Sequence, residues 1–231
     1  MKKIISLQCA LLFIFLFSSF HSDAQKKISE GKATFNISFP ETDLDQETLS
    51  MMPTETVIYF KNKMSRSEVK MAMGTTIGIT NGEKGETTTL MDMMGQKIAM
   101  KLTKAEVEKE RAKAGLEKPV VKLADDTKKI AGFNCKKAIV TIKDKEGKDI
   151  TINIWYTKEI TAPNSIRTGS SFDGVDGFLM EFETAMDQFT MKLTCKSVEE
   201  TKVDDAMFTI PDGYTMTTME ELRNSRGKGG H

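Results

Sequence analysis

Histidine is what this chain most conspicuously lacks. Among its 231 residues only His21 and His231 are histidine. The first falls in an N-terminal apolar leader and the second is the last residue, so the stretch between them has none. A fold built from that stretch has no imidazole for Ser-His-Asp or Cys-His catalysis, and almost no route to a zinc site with an open position. The glycine patterns that cradle phosphates or dinucleotides are missing too, as is the G-x-S-x-G nucleophile turn. Gly169-Ser170-Ser171 imitates that turn, but no base stands near to activate a serine. Neither sign of charge is in excess, since basic and acidic side chains each number 33. Without a strong field the chain is not expected to bind nucleic acid or an anionic membrane. The longest apolar run, Cys9–Phe17, is shorter than the roughly 20 residues of a spanning helix.

That run has the form of an export signal. Lys2 and Lys3 precede it, and Ser22-Asp23-Ala24 supplies small residues for cleavage. Residues 1–24 are therefore expected to be removed, leaving Gln25 first. A lipid anchor would need a cysteine after the apolar run, whereas Cys9 begins it. The remaining 207 residues, with 31 basic and 32 acidic side chains, suffice for one domain with a sizeable core. The expected address is the periplasm of a Gram-negative-type envelope, and the expected protein is not membrane-spanning. A single β-rich domain over 25–214 is expected, with 215–231 an unstructured tail ending Gly227-Lys228-Gly229-Gly230-His231.

Within the domain the dominant pattern is alternation with period two between turn signals. Ala33, Phe35, Ile37 and Phe39 share a face opposite Lys32, Thr34, Asn36 and Ser38. Further strands are predicted over about 56–60, 63–71, 75–80 and 86–92, the last two around the turn signal Asn81-Gly82. Ile98, Met100 and Leu102 follow Gly95. Ala138, Val140 and Ile142 form another face. Then come Ile150, Ile152, Ile154 and Tyr156, next Phe178, Met180 and Phe182, and last Phe189, Met191, Leu193 and Cys195. About nine or ten strands in sequence order read as an antiparallel meander. Two helices interrupt it. One lies within Asp43–Met52, ahead of Pro53. The other covers Thr103–Ala114 and opens with the capping box Thr103…Glu106. Its weak apolar face of alanines and one valine fits a solvated crossover or a lid. The polar stretch between Lys158 and Asp176 is too long for a tight turn, and such loops are often functional.

Several segments together resemble a family known only as domain of unknown function 4412. They are ETVIYFKNKMSRSEVKMAMG (55–74), TTTLMDMMGQK (87–97), KKIAGFNCKKAIVTI (128–142), DITINIWYTKEI (149–160), GVDGFLMEFE (174–183) and MFTIPDGY (207–214). Residues 174–183 also resemble the glycine-rich motif of GLPGLI-type relatives, but Val175-Asp176-Gly177-Phe178 replaces its core. More distantly the chain is similar to periplasmic lipoprotein carriers of the LolA/LolB type. That similarity implies a curved antiparallel sheet, an incomplete barrel closed on one side by helices, with an apolar concavity.

Methionine is the anomaly in composition: there are sixteen, in clusters. Flexible thioethers could fill core gaps, line a groove for varied apolar guests, or ligate Cu(I). Met71 with Met73 and Met91 with Met93 are the Cu(I) candidates. Cys135 and Cys195 are the only cysteines beyond the leader, and an oxidising compartment makes a disulfide between them the natural expectation. Side-chain parity argues against it, since Cys195 follows Leu193 whereas Cys135 falls opposite Ala138, so a bulge would be needed. Glu181 and Glu183 share a face, as a carboxylate pair for glycoside hydrolysis must, but that is the face away from the apolar side. Trp155 falls on the outer side, where either a helix covers it or a partner meets it.

The expected fold is thus mainly β (α+β), a curved antiparallel sheet with two short helices. No cofactor and no enzymatic role are expected. The leading functional expectation is binding of an apolar ligand, a lipid or a lipidated protein, on the concave face by Phe35, Ile37, Met100, Ile152, Met180, Phe182 and Met191. The alternative is an envelope structural or interaction module whose own side chains fill that face, and Cu(I) binding is the third.

Overall fold

Alternating apolar and polar side chains along Glu30–Thr42 make the first strand, β1, and put Ala33, Phe35 and Ile37 in the core. The computed structural model describes residues 27–113, 117–143, 147–163, 172, 174–185 and 189–228. The expected leader, the Gly169-Ser170-Ser171 turn and the last three residues lie outside the described residues. After β1 come α1 (Gln46–Met51), β2 (Glu55–Lys61), β3 (Met64–Met71), β4 (Gly74–Asn81), β5 (Glu86–Met93), β6 (Gln96–Thr103) and α2 (Lys104–Lys113). The second half comprises β7 (Val120–Ile130), β8 (Phe133–Lys143), β9 (Asp149–Thr157), β10 (Phe178–Ala185) and β11 (Phe189–Glu199). A 3-10 turn (Asp205–Phe208), β12 (Thr215–Thr217) and α3 (Met219–Lys228) complete the chain.

All twelve strands join one curved, unclosed sheet in the order β12-β6-β5-β4-β3-β2-β1-β11-β10-β9-β8-β7. Neighbours are antiparallel except β12, which runs parallel to β6. The expected class, a mainly β curved sheet with short helices, is what the chain forms. Among the described residues there are three helices rather than two. The third lies in the segment expected to be an unstructured tail, and its start is fixed by a second capping box: Thr218 N–H donates to Glu221 Oε2 at 2.9 Å and Glu221 N–H to Thr218 Oγ1 at 3.2 Å. The Thr103…Glu106 box forms as expected, with bonds of 2.7 and 3.2 Å, and Asp45 caps α1 through Thr48 N–H. No helix among the described residues is long and apolar enough to cross a membrane.

Residues paired across a sheet share a face, and following the pairs shows that the apolar side changes face. From Phe60 the row runs Ser65, Thr80, Thr87, Leu102; from Ile58 it runs Ser67, Gly78, Thr89, Met100. The face that is aromatic and aliphatic on β1 and β2 therefore turns to serine and threonine on β3 to β5. Ile77, Ile79, Leu90 and Ala99 are buried on the opposite face, against Met64, Phe208 and Tyr214. The sheet thus carries two cores, a large one on the concave side of β1, β2 and β8–β11 and a small one behind β3–β6.

The chain after β11 is what covers the small core. Lys61 Nζ reaches Asp205 Oδ1 at 2.8 Å and Val203 O at 3.1 Å. Arg66 donates from Nη1 to Met207 O at 3.0 Å and from Nε to Glu68 Oε1 at 2.6 Å. Glu30 Oε1 accepts from Val203 N–H at 2.8 Å. These bonds strap residues 203–208 across the back of β1–β3 and deliver Phe208 and Tyr214 to Ile77 and Leu90.

Candidate functional site

Of the seven residues expected to line an apolar concavity, five are packed inside the large core. Phe35, Ile37, Ile152, Met180 and Phe182 are all buried there, and Met191 packs at its margin. Ile160, Phe172 and Val175, from the chain that follows β9, pack into the same core. Ile28 N–H donates to Glu159 O and Thr161 N–H to Ile28 O, both at 2.8 Å, which anchors Ile160 over the core. Phe172 meets Phe182 edge-on at 4.9 Å between ring centroids, and Val175 is buried beside them. Gly177 lets this cover approach closely, because a Cβ there would stand 2.7 Å from Thr157 O. Side chains of the polar loop, rather than a helix, therefore fill this half of the concave face. Met180 reaches the interior at a β-bulge: Leu179 pairs with Tyr156 and Glu181 with Trp155, leaving Met180 as the extra residue.

Met100 does not join the other six. It is half-buried on β6, whereas Ala99, one residue away, is the fully buried side chain of that strand. On the concave face of β3–β6 Met100 has Thr89, Gly78 and Thr76 as neighbours, with Met91, Ile98 and Leu102, all half-buried. The result is an apolar strip, mostly thioether and branched aliphatic, on a floor of small polar residues. At one end of it Ser65 Oγ and Thr80 Oγ1, on directly paired residues, are buried without a hydrogen-bond partner. Beyond Thr80 the same face reaches Gly82, against which Pro163 packs. A cleft of about 480 Å³ opens there, walled by Lys27, Lys63, Lys158, Ile160, Pro163 and Asp176 among others. Lys158 is tied to Asp176 at 2.7 Å, and each charge holds the other ionised, raising the lysine pKa and lowering that of the carboxyl. None of the seven expected ligand-binding residues lines this cleft.

The expected disulfide is not formed: Cys135 and Cys195 are free, buried thiols. They stand on β8 and β11, which are separated by β9 and β10. Three strand spacings are roughly 14 Å along the sheet, well beyond the Cα separation that a disulfide bridges. Each sulfur faces a carbonyl of its own strand instead, Phe133 O at 3.5 Å and Ser197 O at 3.6 Å. Burial pushes the Cys135 thiol up to about 11 and the Cys195 thiol up to about 12, so neither is a nucleophile near neutrality. Trp155 is covered by a lysine, not by a helix. Lys128 Nζ lies 4.3 Å from the ring centroid and 2.8 Å from Glu181 Oε1. Lys192 takes Glu183 at 2.9 Å, so the outward carboxylate pair is neutralised within the sheet.

With this geometry in view, comparison with known proteins supplies a family. Residues 83–208 match the family described as N-glycanase peptide, N-terminal domain. The chain belongs to this family. Its pattern, rather than that of domain of unknown function 4412, is the one the sequence matches. The matched span of the N-glycanase N-terminal domain family runs from the turn after β4 to the 3-10 turn, taking in the apolar strip of β5 and β6 and the whole of β7–β11. Among solved structures, LprF from Mycobacterium bovis is similar at 16% identity over 80% of this chain and 90% of that chain, with a TM-score of 0.31. No curated protein matches the sequence.

Proposed function

We propose that the protein is a non-catalytic binding module, exported to the periplasm, that holds an apolar guest such as a lipid or the acyl chain of a lipoprotein. The observation that carries this reading is the strip on β5 and β6. Met91, Ile98, Met100 and Leu102 share the face of the large core and are only half covered. Thioethers and small floor residues suit a guest of variable shape. The lysines of the adjoining cleft and the two unpartnered hydroxyls would receive a polar or anionic head at one end. The family is that of an N-terminal domain, and we assign this chain a binding role rather than glycan cleavage. Glu181 and Glu183 face outward in ion pairs, and no histidine stands between the leader and the last residue.

Titration with a fluorescent fatty-acid probe tests the proposal. Binding should saturate at one site, and Met100→Gln or Ile98→Gln should weaken it at least fivefold with little change in unfolding midpoint. A second reading is favoured by the burial of Phe35, Ile152, Met180 and Phe182: a structural module whose core is complete without a guest. Wild-type protein that binds no such probe, and carries no lipid in native mass spectrometry after purification from its own periplasm, leaves that reading in place.

A further inference from the structure

Methionines that fill core gaps are buried, yet five others gather at one end of β3–β5 for which the core has no use. Met71 is 36%, Met93 37%, Met73 59% and Met94 83% exposed, and Met91 is half-buried beside them. The pairing of strands brings them together. Met71 pairs with Gly74 and Gly74 with Met93, so the two thioethers flank a glycine on a single face. Two strand spacings separate their backbones by roughly 9.5 Å. Gly74 leaves the space between them empty, and two unbranched side chains with three rotatable bonds each can close it. Gly74 is also required there, because at φ +152° an added Cβ would collide with Asp92 O. Met91 is two residues along β5 from Met93 and therefore on the same face. The neighbouring hairpin tips are joined by a bond from Met94 N–H to Met73 O at 3.4 Å, which sets those two methionines side by side.

We propose that these adjacent hairpin tips form a soft-metal site, in which Met71, Met91 and Met93 bind Cu(I) through their thioethers and Met73 and Met94 cap it. The chemistry of the set is selective. Thioethers are soft, neutral donors that take Cu(I) in preference to zinc, magnesium or calcium. Asp92, between Met91 and Met93 in sequence, lies on the opposite face of β5, where it pairs with Lys97 at 4.0 Å. The polar residues paired with Met93 and Met91 on that face are Gln96 and Thr76, both neutral, so no carboxylate competes there among the described strand positions of β3–β6. Exposure of the tips gives the ion direct access.

Titration of the full chain with Cu(I), held reduced and competed against a chromogenic Cu(I) chelator, tests the site, with Ag(I) as a redox-inert second probe. One equivalent should be retained by the wild-type protein, while Zn(II) is not. Met71→Leu with Met93→Leu keeps shape and apolarity and should cost at least tenfold in Cu(I) affinity, with circular dichroism unchanged. Met64→Leu, at the far end of β3, should leave affinity as it was. Should the double variant fold poorly, Met73→Leu with Met94→Leu alters only strongly exposed side chains and should lower affinity severalfold. A wild-type protein that yields all its Cu(I) to the chelator, or a folded double variant that binds like wild type, overturns the proposal.

Discussion

Met180→Gln separates a packed interior from a ligand cavity, because Met180 is 0% exposed and leaves the β10 ladder at a bulge into the large core. The change keeps length and flexibility but puts an amide into a core built of apolar side chains such as Phe35, Phe182 and Ile154. Lost burial of an apolar side chain costs about 1.5–3 kcal/mol, and an unsatisfied buried amide roughly 1–3 kcal/mol more. Together they cost on the order of 3–5 kcal/mol, a large part of the 5–15 kcal/mol that holds a typical domain folded. In urea, with a slope of about 2 kcal/mol per molar, the midpoint should drop by roughly 1.5–2.5 M with the slope unchanged. Equilibrium unfolding followed by the single tryptophan, Trp155, measures this directly. A loss below about 1 kcal/mol, accompanied by loss of fatty-acid binding, would refute the packing argument and move the binding site to this half of the sheet.

Three further outcomes follow from the same geometry. Native protein should leave Cys135 and Cys195 unlabelled by thiol reagents at neutral pH, and unfolding without reductant should release two reactive thiols per chain; none would mean that the disulfide forms after all. Both thiols have folded pKa values above the ordinary range, so the unfolded chain loses these protons first; their contribution to stability should be level below about pH 8.5 and decline as pH rises toward 11, read by urea midpoints between neutral pH and 11. Lys128→Ala strips the cation from Trp155 and should shift its emission to the red; an unchanged spectrum would show that Lys128 does not shield the ring.

Much of the sheet was legible because one buried face writes itself as period-two alternation, as in Ala33, Phe35 and Ile37. Where the sequence misled, the cause is local. β7 was missed because it is an edge strand whose charged residues, Asp125, Asp126, Lys128 and Lys129, guard an unpaired flank instead of alternating with apolar ones. Met100 is expected on the concave face and shares it, but the sequence cannot show that the buried residue of β6 is Ala99, because Phe208 and Tyr214 approach from behind. That approach depends on contacts spanning more than a hundred residues, such as Arg66 with Met207. The helix after Thr218 was within reach: Thr218…Glu221 is the same capping box as Thr103…Glu106, standing at the head of a tail whose polar, glycine-rich end reads as unstructured. In the candidate site, the methionine pairs were visible as residues. Their union across Gly74 was not, because it requires the register of three strands.

The change of face at β3 ties these features together. Ser65 and Ser67 take the positions on β3 that would continue the row of Phe60 and Ile58, while Arg66 points backward and secures the 3-10 turn. Once the strap of residues 203–217 supplies the apolar cover behind β4–β6, those strands bury Ile77, Ile79 and Leu90 there and have no need of a core on the concave side. Their concave side chains are then released from packing, and the chain has used that freedom unevenly. Serine and threonine stand near β3, as a solvated face would have them, but Met91, Ile98, Met100 and Leu102 stand farther out, where solvation alone would favour polar residues. Leaving four such side chains half covered forgoes several kcal/mol of burial. Nothing in the fold of β4–β6 requires that arrangement, since their core is already complete on the other face. A guest that covers the strip recovers the energy, which makes the strip, and not the filled half of the sheet, the place to look for it.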